Sequence, residues 1–374
     1  MAARFWVGGS GTWDVSSTAN WAATSGGASG ASAPTTADTA TFDSNSGTGT
    51  CVTAAGSTCL SCTLNTANVV LQLGANHTQT GSFILTQGSL DLNNFTLSST
   101  TFSSSNTNTR SVNFGSSGQI TLTATSGTLW TTSSSTNFTS TGTNKVVVAP
   151  NGGAGTRTFN PGAATLESQT ISLNVTGGSD TVSVQNRYLS LNFTGFTGTV
   201  SGARTIYNDF TLQSGITHSG NVTFPGSTNP STITTAGVVL NSTFTFDGAA
   251  KTWQFADAAD FGTGGIVFTQ GTLKLRAGAT TTVTTFSSSG ATPRQLQSTS
   301  AGTQAALSQS SGSVSVANMT IKDINATGGA TWLAYTTDGN VDDGNNTGWV
   351  FSAPVVLDTS SPISLRSFTQ RQRF

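Results

Sequence analysis

Leu85-Thr-Gln-Gly-Ser-Leu-Asp-Leu92 returns, some 180 residues later, as Phe268-Thr-Gln-Gly-Thr-Leu-Lys-Leu275. Thr101-Phe-Ser-Ser-Ser105 returns almost in register with it as Thr285-Phe-Ser-Ser-Ser289, and Asn94-Phe-Thr-Leu97 has a counterpart in Asp209-Phe-Thr-Leu212. Within each copy apolar residues alternate with Thr, Ser or Asp, which is the period-two signature of a half-buried strand. The same alternation fills the intervening chain, for example at Ile171-Ser-Leu173-Asn-Val175, Leu189-Ser-Leu191-Asn-Phe193 and Phe244-Thr-Phe246. Gly, Asn and Ser-Gly punctuation separates the segments as turns require. No amphipathic helix of ten or more residues stands out. Short similar strands and turns predict stacked coils of roughly 20 residues, each burying its apolar edge against its neighbours. The expected fold is all-β, a right-handed parallel β-helix with capping ends. Tandem antiparallel β-sandwich domains would show the same alternation and are the alternative.

The 374 residues include only 8% charged side chains, against roughly 25% in ordinary soluble domains. Four Lys and ten Arg face fourteen Asp and one Glu, for a net charge of -1. That balance argues against nucleic acid as a partner, since binding it needs a basic face. No apolar run is long enough to span a bilayer, so membrane insertion is not expected. The start, Met1-Ala-Ala-Arg4-Phe-Trp-Val, lacks the apolar core of a secretion signal. Synthesis and assembly in a cytoplasm are therefore expected, despite a Ser/Thr surface suited to the outside.

Three segments are predicted. Residues 1–48 form a Trp/Gly-rich cap or attachment segment, 49–350 the solenoid body and 351–374 an Arg-bearing tail. Trp6, Trp13 and Trp21 stand among Gly, Ser and Ala, so their rings must bury against the first coil or against another chain. Arg366, Phe368, Arg371, Arg373 and Phe374 form a basic-aromatic strip with no acid among the last sixteen residues. These eight residues are the candidate assembly interface.

Two stretches carry a resemblance. Phe5-Trp-Val-Gly-Gly-Ser-Gly-Thr-Trp13, continuing through Asn20-Trp21 to Ala37-Asp-Thr-Ala-Thr-Phe-Asp43, resembles the opening of Ser/Thr-rich structural proteins of tailed bacteriophages. Asn325-Ala-Thr-Gly-Gly-Ala-Thr-Trp332 and Asp342-Asp-Gly-Asn-Asn-Thr-Gly-Trp-Val-Phe351 are similar to the closing segment of β-helical phage and bacterial surface proteins. The resemblance implies a non-enzymatic virion protein: a fibre, spike or capsid-decoration protein. Its expected partners are other virion proteins, further copies of itself (a trimer among the options) and a host surface glycan. A polysaccharide-degrading tailspike and a secreted bacterial adhesin are the alternatives.

Few constellations could carry chemistry. Cys59-Leu-Ser-Cys62 has redox or zinc spacing with Cys51 near it, but no helix start or fourth ligand accompanies it. Buried small side chains are the simpler reading. His77 and His218 read as turn or surface residues, with no metal or triad frame. Asp338-Gly-Asn340-Val-Asp342-Asp343-Gly344 spaces its carboxylates like a calcium loop, although the glycine falls one place late. Turn-capping side chains are the competing reading. For a glycan-cleaving spike the carboxylates would be Asp257 with Asp260, or Asp247 beside Trp253, the ring serving as a stacking platform. No catalytic residue, metal or cofactor is assigned.

Overall fold

The computed structural model describes residues 1–162, 169–226, 230–288, 290 and 292–353. They form a β-solenoid of about 13 turns. At about 4.8 Å between hydrogen-bonded strands the stack is about 60 Å tall. Every strand pairing but one is parallel; the exception joins Ala3–Trp6 to Trp21–Ala22. Parallel stacking removes the tandem-sandwich alternative, whose strands would pair antiparallel.

Alternation becomes ladders. Inward positions stack as His77, Leu97, Ile120, Val147, Leu173, Leu191, Phe210, Ile233 and Phe255, one residue per coil. One residue further along each strand, the outward ladder reads Thr78, Ser98, Thr121, Val148, Asn174, Asn192, Thr211 and Thr234. Aromatic rings stack in the same way: Phe102 lies 5.8 Å from Phe83 and 4.3 Å from Trp130, its plane nearly parallel to both.

The repeated Thr-Gln-Gly explains how a coil turns a corner. Strands Phe83–Asp91 and Gly265–Leu275 each change phase at the glycine, with inward Leu85 followed by inward Gly88 and Leu90. Gly88 has φ +100° and Gly271 φ +96°. A Cβ on Gly88 would lie 2.1 Å from the Thr66 carbonyl oxygen, and one on Gly271 would lie 2.4 Å from that of Gly248. Both the backbone angle and the close approach to the coil below admit only glycine.

Residues 1–48 are not a separate unit. Gly11–Trp13 pairs with Gly49–Thr53 and Ala3–Trp6 with Thr39–Phe42, so the first coil is already part of the stack. One buried cluster runs from Trp6 to Ala334. The first coil is closed from outside by the chain that doubles back through Trp21–Ala22. The other end is built differently. Among the described residues Val341–Asp342 and Trp349–Val350 each pair with one strand only, and Val341 and Val350 are exposed. Polar side chains seal the interior there: Asn340 donates to the carbonyls of Val316 and Tyr335, and Asn346 to that of Ile321.

Candidate lateral binding groove

The expected interface tryptophans do not lie on the surface. Trp6, Trp13 and Trp21 are fully buried within the chain, with Trp21 5.3 Å from Trp6 and 5.0 Å from Trp13, and Phe42 within reach of all three. Of the two burial options open to them, the first coil takes the rings, because aromatic area is the only large apolar material in a Gly/Ser-rich segment. Arg366, Phe368, Arg371, Arg373 and Phe374 lie outside the described residues.

The two histidines are interior, not surface, residues. His77 packs 5.0 Å from Trp13 and contacts Ser57 Oγ at 3.1 Å, and burial lowers its pKa to about 4. His218 faces the Leu240 carbonyl through Nδ1 at 2.7 Å and Arg204 through Nε2. Burial, then the Arg204 charge, lower its pKa to about 3. A neutral Nδ1–H tautomer satisfies both contacts.

Cys51, Cys59 and Cys62 are free, buried thiols; desolvation pushes Cys59 up to about 12 and the other two higher still. Groups so hard to ionise are poor nucleophiles and poor metal ligands. Among the described residues no group of three His, Cys, Asp or Glu stands close enough to hold a metal ion. In the calcium-like stretch, Asp342 accepts from the Gly344 amide and Asn346, and Asp343 pairs with Lys322 at 3.0 Å. Its side chains close turns, as the competing reading expected.

The carboxylates considered for glycan cleavage also serve turns. Asp257 accepts from the amides of Thr235 and Ala236, Asp260 from that of Gly262, and Asp247 from Thr269 and Gln270. Trp253 is fully buried against Phe246, so it is a core residue and not a stacking platform.

Sequence reasoning missed the interior cations. Arg110, Arg157, Arg204 and Arg294 each take an inward strand position, two residues before an apolar inward one. Arg110 donates to carbonyls of Asn108 and Thr136, and Arg294 to that of Thr269. Arg157 makes a bidentate pair with Asp180, both contacts 2.8 Å, and the side chains of both are shielded from solvent. These guanidiniums satisfy turn carbonyls that the ladders cannot reach.

One open cleft lies on the lateral face. Ile120 and its partner Val147 are 27 residues apart, whereas Leu173 and Leu191 are 18 apart. Where the coils shorten, a cleft of about 350 Å³ forms across four of them. Val146 and Leu189 give it an apolar floor; Asn144 and Asp209 stand at its margins, and Ser172, Asn174, Asn192 and Thr211 face it. Asn192 Oδ1 accepts from the Thr194 amide and Asp209 Oδ1 from that of Thr232. Among the described residues the amides of Asn144 and Asn174, Nδ2 of Asn192 and the hydroxyls of Ser172 and Thr211 have no partner. Elsewhere such groups bridge coils, as Asn94 does by accepting from the amides of Ser116 and Ser117.

Fold and groove define the class as β-solenoid. Compared with protein-family models, curated proteins and solved structures, the chain matches none.

Proposed function

We propose that this chain is a non-enzymatic structural protein of a bacteriophage particle, a rigid solenoid that attaches to other virion proteins by its C-terminal end and projects its length as a fibre, spike or decoration. The observation that carries the reading is the difference between the two ends. The first coil is sealed by its own doubled-back strand and buried tryptophans. Among the described residues, the last coil keeps two strands with a single partner each, and Val341 and Val350 in solvent. An open strand edge is a template for further pairing, and natural proteins normally cover it. The phage assignment itself is supported by the resemblance of the two end segments. The reading keeps the C-terminal end, of the two ends first considered, as the point of attachment.

The test is incorporation. Particles assembled with a chain carrying Val341→Lys and Val350→Lys should lack this protein by mass spectrometry, while the purified variant keeps the circular dichroism of the full chain. Normal incorporation of that variant would remove the C-terminal attachment.

A further inference from the structure

We propose that the lateral cleft between Asn144 and Asp209 binds a neutral oligosaccharide. Its volume falls in the range of small-ligand sites. Its lining joins an apolar floor to planar amides and hydroxyls, which suits a pyranose ring with C–H faces and equatorial hydroxyls. The lining includes one formal charge, Asp209, and no cation. An isolated carboxylate accepts from hydroxyls and repels an anionic polymer, so a neutral glycan is selected over an acidic one.

The unpartnered groups also recur with the coil. Asn174 and Asn192 are direct partners in adjacent coils, with Thr211 above them. Their spacing of about 4.8 Å is close to the length of one sugar unit, so successive units of a strand laid along the rod meet equivalent donors. An extended peptide fits less well. The groove lies on a sheet face whose backbone groups are already paired between coils, leaving no ladder for a peptide to join. The inference stands on the groove alone and is independent of whether the rod belongs to a virion.

The full chain should be titrated calorimetrically with maltohexaose, dextran and an N-acetylglucosamine tetramer as neutral probes and hyaluronate as the acidic one. At least one neutral probe should bind, and hyaluronate should bind more weakly. The double substitution Asn174→Ala with Asn192→Ala should weaken binding about tenfold, with an unchanged melting curve. Thr211→Val, nearly isosteric, should weaken it less but measurably. Ser98→Ala with Thr121→Ala, on the same ladder outside the cleft, should leave affinity as it is. Failure of every neutral probe to bind, equal binding of hyaluronate, or full affinity in the Asn174/Asn192 variant would overturn the proposal. Because no particle is involved, these outcomes are separate from the incorporation test.

Discussion

Arg204 donates to Nε2 of His218 in the interior of the stack, and neither side chain is ion-paired among the described residues. The pair works because the imidazole is neutral: it accepts from the guanidinium on one side and donates to the Leu240 carbonyl on the other. Burial lowers even the Arg204 pKa, to about 9.

Acid should therefore undo this fold. His77 and His218 titrate near 4 and 3 in the folded chain and near 6.5 when unfolded. Between those values the unfolded chain holds more protons, so stability is complete above about pH 6.5 and declines as pH falls toward 4. At pH 5 the loss should be about 2 kcal/mol per histidine. Thermal melts from pH 7.5 to 4.5 would show it as a falling Tm. A flat profile across that window would mean that the histidines are exposed.

Asp180 compensates a guanidinium that has no access to water. Asp180→Ala should cost about 3–5 kcal/mol, the usual penalty for orphaning one half of a buried pair. The same substitution at Asp343, whose partner Lys322 is exposed, should cost under about 1 kcal/mol. Denaturant melts of the two variants side by side make the comparison.

Gly88→Ala and Gly271→Ala should each destabilise by at least about 1–3 kcal/mol from backbone conformation alone, before the contact with the coil below is added. Alanine at Gly56, which also has positive φ but open space around it, should cost less. Urea midpoints of the three variants would rank them.

The three thiols should be silent in the native chain. With all three buried and their pKa values raised by desolvation, alkylation at pH 8 should label none in buffer and all three in strong denaturant. Mass spectrometry gives the count directly, and rapid native labelling would contradict the buried assignment.

The stack was readable because parallel coils repeat the same demand at every level: the alternation of Leu189-Ser-Leu191-Asn-Phe193 and the recurring Thr-Gln-Gly each report a local constraint. The interior arginines were not, since composition treats Arg as a surface residue. Their signal was positional: Arg110-Ser-Val112, Arg157-Thr-Phe159, Arg204-Thr-Ile206 and Arg294-Gln-Leu296 all place the cation in phase with the core. The tryptophans were legible as a cluster that had to be buried, but not as to which chain would bury them. The groove had no local signal at all. It arises where coils of different length meet, and it gathers side chains from Asn144 to Thr211 that share no motif.

A stack of coils has no shared centre, so its stability accumulates from neighbour to neighbour along a line. With Trp6, Trp13 and Trp21 locking one terminus and a half-paired Trp349 at the other, the line has a direction. Fraying begins in the coil that holds Trp349 and travels down toward Trp13, so a protease or a pulling force applied at the C-terminal end unzips the rod coil by coil. The same load at the tryptophan end meets a knot of rings that must give way all at once. The molecule is mechanically polar, and its yielding end is the one proposed for attachment.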